Sequence, residues 1–173
     1  GTSGQVYTVN SGTMPAWQNP RQVAPSLRTY YVYLDPTLAN YVAINGLSGG
    51  IEFSGATFAS VMNSGVLPTL SGGGQVFLQG AITLTSAIVF PSGARGISLR
   101  GLEGYGKDTN TTATTISVNS GVTPAFGTTT ANNLRTAFGL QFSDLKFIGP
   151  ASGPLTVGLQ LDNVDTVSIT NCT

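Results

Sequence analysis

Between Ser71 and Gly104 the chain interrupts itself every few residues. Four apolar pulses, Val76 to Leu78, Ile82 to Leu84, Ile88 to Phe90 and Ile97 to Leu99, are separated by Gln79-Gly80, Thr85-Ser86 and Pro91-Ser92-Gly93. Each pulse is too short for a helix, and each break is made of turn formers. Glycine reaches positive φ without steric cost and proline pre-sets a turn, so the backbone can change direction at every break. Very short strands with repeated direction changes suit a chain that winds round itself.

Five pieces in this region share an order and spacing with a known group. They are a short helix over Phe58 to Leu70, then Gly72-Gly73-Gly74-Gln75-Val76-Phe77-Leu78, Gly80-Ala81-Ile82-Thr83-Leu84, Ile88-Val89-Phe90-Pro91-Ser92-Gly93 and Ile97-Ser98-Leu99-Arg100-Gly101. Together they resemble the start of the pectate-lyase-like superfamily of right-handed parallel β-helices, which includes polysaccharide lyases, polygalacturonase-type hydrolases and phage tailspikes. The resemblance runs from Gly55 to the C-terminus and leaves out residues 1–54. It implies an all-β, single-stranded parallel β-helix with a short N-terminal capping helix and an irregular N-terminal arm. The family usually sets an aspartate pair before that helix. Here Ser54-Gly55-Ala56-Thr57 stands in, with Ser54 or Thr57 as the cap.

Charge narrows the function classes. Only 8% of the 173 residues are charged, against about a quarter in ordinary domains, and seven basic residues balance seven acidic ones. Low charge with 40% hydrophobic residues is not the signature of disorder. No net positive charge is available for nucleic acid or an anionic membrane, and no segment is long and apolar enough to span a bilayer. Histidine, the commonest metal ligand and general base, is absent. No metal or cofactor site is expected. The single cysteine, Cys172, allows no internal disulfide and reads as a small buried apolar residue. A surface rich in Thr, Asn and Gly is associated with extracellular or virion-surface proteins. Two sequons, at Asn110 and Asn171, are candidate glycosylation sites.

Two regions are expected, 1–54 and 55–173. In the first, glycines and prolines break residues 1–28, with one short strand over Gln5 to Val9 and Trp17 between prolines. Such an arm lies along its own domain or reaches a neighbouring subunit. Thr29 to Leu34, Tyr41 to Ile44 and Ile51 to Phe53 read as strands, with Asn45-Gly46 as a turn. Tyr30, Tyr31, Tyr33 and Tyr41 form an aromatic group. Tyrosine rings can stack on sugars, but packing or subunit contact is the favoured role. With Trp17 they are the candidate assembly residues.

In the second region the polar stretch from Tyr105 to Thr112 holds the candidate glycan contacts Tyr105, Lys107 and Asp108, because insertions in a solenoid form loops on one face. Asn119 to Arg135 reads as a second long loop. Gly139-Leu140-Gln141-Phe142 is echoed by Gly158-Leu159-Gln160-Leu161, which predicts one coil about every twenty residues. The last coil has no neighbour after it, so further coils or another chain are expected to cover its edge. Carboxylates flanking a glycosidic bond would allow hydrolysis. Asp162 and Asp165 could approach Asp144 on a neighbouring coil, but their turn positions favour backbone capping. The hydrolase motifs Asn-Thr-Asp, Asp-Asp and Gly-His-Gly are absent, so no catalytic residue is assigned. The expected function is therefore non-catalytic: a tailspike-like or adhesin-like surface protein. It is expected to be trimeric, to attach to a host glycan or polysaccharide, and to meet a larger particle through residues 1–54. Two alternatives stand beside it. One is a secreted lyase or glycoside hydrolase with catalytic coils beyond residue 173, and the other is a shell or filament protein.

Overall fold

Alternation in the pulses becomes strand, and the turn residues become corners. The structure, a computed structural model, describes residues 28–102, 114–128, 137–153 and 157–173, and the backbone of 6–8 and 16–18. It is mostly β. Strands β1 (Val6–Thr8) and β2 (Ala16–Gln18) pair antiparallel, with Tyr7 opposite Trp17. Strands β3 (Arg28–Asp35), β4 (Asn40–Asn45) and β5 (Ile51–Gly55) form an antiparallel meander. A short helical stretch follows: α1 (Phe58–Val61), a π-helical turn over Met62–Val66 and α2 (Leu67–Thr69). Thr57 is its N-cap, and its side chain accepts a hydrogen bond from the Ser60 N–H at 3.1 Å. Asn63-Ser64-Gly65 falls inside the π-helical turn.

From there the chain visits the same sheets in the same order. Strands β6 (Gly74–Leu78), β7 (Ala81–Leu84), β8 (Ile88–Phe90) and β9 (Ala94–Arg95) are laid down first. Next come β10 (Ile97–Gly101), β11 (Thr115–Val118), β12 (Phe126–Thr128) and β13 (Ala137–Phe138), and each pairs in parallel with the strand four before it. Strands β14 (Leu140–Ser143), β15 (Lys146–Ile148) and β16 (Leu159–Gln160) repeat the rule. A bridge from Val164 to Ala137 takes the fourth place, and β17 (Val167–Thr170) returns to β14. The largest sheet has seven strands in the order β17-β14-β10-β6-β3-β4-β5 and is mixed, because the meander is antiparallel and the rest parallel. Residues 28–55 thus share a sheet with the later segment, through β3 paired to β6.

Side chains of like position stack through the interior. Tyr30, Val76, Leu99 and Phe142 are in register and buried, as are Ile82 with Ile116 and Ile88 with Phe126. One hydrophobic cluster joins them to Phe58, Met62 and Leu67 of the helical stretch. Phe142 meets Phe90 and Phe126 edge-on, each at 5.9 Å between ring centroids. A glycine corner precedes β6, β10 and β14 in the large sheet: Gly73, Gly96 and Gly139 are in register, all at positive φ (110°, 58° and 65°) that a side chain would resist.

The spacing expected from the Gly139/Gly158 echo is not the period of the fold. Leu140 pairs with Val167, whereas Leu159 pairs with Phe126 in another sheet. The steps Gly74 to Ile97, Ile97 to Leu140 and Leu140 to Val167 are 23, 43 and 27 residues. The two echoing segments are alike because each starts a strand after a glycine, not because they stack. Among the described residues no helix is long and apolar enough to cross a membrane.

Candidate functional site

Alternation fixes which groups face water. In β6, β10 and β14 the residues between the buried ones point outward, and β17, exposed along its whole length, continues their register. Gln75, Ser98, Gln141 and Ser168 are in register in one row, and Phe77, Arg100, Ser143 and Thr170 in the next. The second row continues into the meander through Tyr31, which pairs with Phe77, and Ile44, which pairs with Tyr31. Tyr31 stacks on Phe77 at 5.2 Å and 17°. The two faces cover each other, so the pair stiffens this end of the sheet and shows water its ring edges and the Tyr31 hydroxyl.

Beside the stack, Arg100 donates from Nε to Asp144 Oδ2 at 3.1 Å. The arginine side chain is 60% exposed and the aspartate 15%. Asn171 donates from Nδ2 to the other Asp144 oxygen at 3.2 Å. Asp144 and Asn171 are in register, both in the left-handed region at φ 58° and 52°, which Asp and Asn tolerate better than most residues. One step earlier the same column holds Gly101, where a Cβ would strike the Asp144 carbonyl oxygen. A bulky residue is thus excluded at that corner.

Of the residues expected to mediate assembly, the structure divides the tyrosines. Tyr30 and Tyr41 are buried. The Tyr30 hydroxyl donates to Glu52 Oε2 at 3.0 Å and accepts from Thr69 Oγ1 at 3.3 Å, and the Tyr41 hydroxyl accepts from the Thr83 N–H at 3.1 Å. Both are therefore off the surface that a second subunit could touch. Burial lifts the Tyr30 phenol above its ordinary pKa; the Thr69 hydrogen bond works against this, and the Glu52 carboxylate adds to it. Tyr31 is exposed and Tyr33 half-buried, both on the outer face. Trp17 has its backbone in β2. The glycan candidates Tyr105, Lys107 and Asp108, and the sequon residue Asn110, lie outside the described residues. Asn171 is on the surface, in the turn after β17.

The described carboxylates are engaged on separate turns and strands. Asp35 Oδ1 accepts from the N–H groups of Thr37 and Leu38, capping its own turn. Glu52 is held by Tyr30 and Asn45. Asp144 follows β14, while Asp162 follows β16, where it accepts from Gln160 Nε2 and its backbone is bonded to Thr128 Oγ1. Asp165 donates its N–H to the Ala137 carbonyl. Among the described residues no three His, Cys, Asp or Glu side chains gather where they could hold a metal ion. No family model, no curated protein and no solved structure matches the chain. The outward rows of the seven-stranded sheet are what sequence reading missed. Their signal is present, because Gln75, Ser98 and Gln141 each stand beside buried residues of a strand, but registers across 23 and 43 residues are not visible in a linear text.

Proposed function

We propose that this chain is the non-catalytic, attachment-bearing part of an extracellular or virion-surface spike or adhesin, built on a right-handed parallel β-helix. Parallel pairing of each strand from β10 to β16 with the one four before it supports the β-helix reading. The observation that carries the functional reading is how the described carboxylates are used. Asp35, Glu52, Asp144 and Asp162 accept hydrogen bonds that hold their own turns and strands together. A hydrolase needs two carboxylates aimed into one groove, and acids committed to separate turns favour holding a ligand over cutting it. Assembly as a trimer, with contacts to a larger particle from residues 1–54, is supported by Tyr31, Leu34, Leu38, Leu47 and Ile51, all large apolar side chains exposed on the meander.

Light scattering of the 173-residue chain tests the assembly: the mass of three copies is expected, and a monomer at all concentrations overturns it. Incubation with polysaccharides tests the rest. Retention of polysaccharide without release of reducing ends or unsaturated products is expected. Steady product release moves the assignment to a lyase or hydrolase.

A further inference from the structure

We infer that the outer face of β6, β10, β14 and β17 is a binding surface for a neutral, extended polysaccharide running across the strands. The inference deepens the attachment reading and rests on it. Neighbouring strands lie about 4.8 Å apart, so the in-register Gln75, Ser98 and Gln141 present amide, hydroxyl and amide at even steps. None of the three makes a side-chain hydrogen bond to another described residue, and Gln75 and Gln141 are exposed. Alongside, Arg100 uses only Nε within the described residues, which leaves its two terminal amino groups for a ligand. The Asp144 carboxylate balances its charge.

The chemistry of this face excludes most other ligands. Nucleic acid needs uncompensated positive charge. A peptide strand adds to a sheet edge rather than to its face. A lipid surface needs an apolar or basic face. Repeating groups that both donate and accept, with no net charge, match a chain of hydroxyls. The other sheets do not offer this: one carries Val89 and Gln160 on either side of the buried Gly127, another has the rows Ala81, Thr115, Lys146 and Thr83, Ser117, Ile148, each broken by an apolar residue, and Arg95 lies over the Phe138 ring in a third.

Electrophoresis through native gels containing hydroxyethyl cellulose, xylan or polygalacturonate tests this with the full chain. The wild type is expected to be retarded by a neutral polymer. The double variant Gln75→Ala/Gln141→Ala is expected to lose about tenfold in affinity, as two surface hydrogen bonds predict, while keeping the wild-type circular dichroism and melting temperature. Arg100→Gln, a second probe of the same face, is expected to weaken retardation as well. Equal retardation of wild type and both variants by a neutral polymer overturns this face but leaves the attachment reading standing. Retardation by polygalacturonate alone, abolished by salt, overturns the neutral ligand. Retardation by none of the polymers overturns the glycan-attachment reading and this inference together.

Discussion

Asn63 does the work of a strand. Its side-chain amide donates to the Ala87 carbonyl at 2.8 Å and accepts from the Val89 N–H at 2.9 Å, along the free edge of β8. An unpaired edge recruits other chains, and here one side chain closes it. Replacing Asn63 with alanine leaves both backbone groups without their partner, so a loss of about 1–3 kcal/mol is expected in urea titration. Asn63→Asp keeps an acceptor for Val89 and should cost less than alanine does; equal losses for the two would show that the amide pairing is not what matters. Tyr30 gives a pH test. Its phenol is raised in the folded chain, so its contribution is intact below the ordinary tyrosine pKa of about 10 and is lost as pH climbs from there through the folded value. Unfolding free energy measured from pH 8 to 11 should fall above pH 10 more steeply for the wild type than for Tyr30→Phe, and parallel curves would contradict this. At this scale the sequence was partly readable. Thr57 was one of two legible caps, but grouping Tyr30 with Tyr31 as one surface overlooked that neighbours in a strand face opposite ways.

Strands and corners are where most of the sequence signal lay. Alternation in Gln75 to Leu78 and Ala81 to Leu84 gives β6 and β7 directly, whereas β9, two residues long, is too short for any period to show. The Gly139 and Gly158 segments share a local grammar of corner followed by inward and outward residues. That grammar does not say to which sheet a strand belongs, and so the echo suggested a false stack. The glycines differ in what they tolerate. Gly101 faces the Asp144 carbonyl oxygen and the Thr114 side chain, both backbone-anchored, while Gly80, at φ 78°, has open space around its missing Cβ. Gly80→Ala should therefore cost about 1–2 kcal/mol, the strain of a left-handed residue. Gly101→Ala should cost more, because β10 and the turn after β14 must separate. Chemical denaturation of the two variants decides it, and a Gly101→Ala loss no larger than that of Gly80→Ala would refute the close packing at this corner.

Among the described residues a single hydrophobic cluster runs from Tyr30 on β3 to Leu145 beyond β14. Phe142→Ala removes a ring that touches Phe90 and Phe126 and is expected to cost about 3–5 kcal/mol. Val32→Ala, in the meander, should shift the same melting transition, because β3 and β6 are one sheet. Two separate transitions, each moved by one variant, would instead divide the chain near residue 55. The boundary expected from sequence came from where the family resemblance stops, and the limit of a resemblance need not be a limit of the hydrogen bonding. Strand pairing has one more consequence. Within the seven-stranded sheet, from β6 onward, every strand bonds to one that precedes it in the chain: β6 to β3, β10 to β6, β14 to β10, β17 to β14. In that sheet a ribosome therefore delivers each strand after its partner, whereas β7, β8 and β9 wait for β11, β12 and β13, so the large sheet can grow during translation before the smaller ones close.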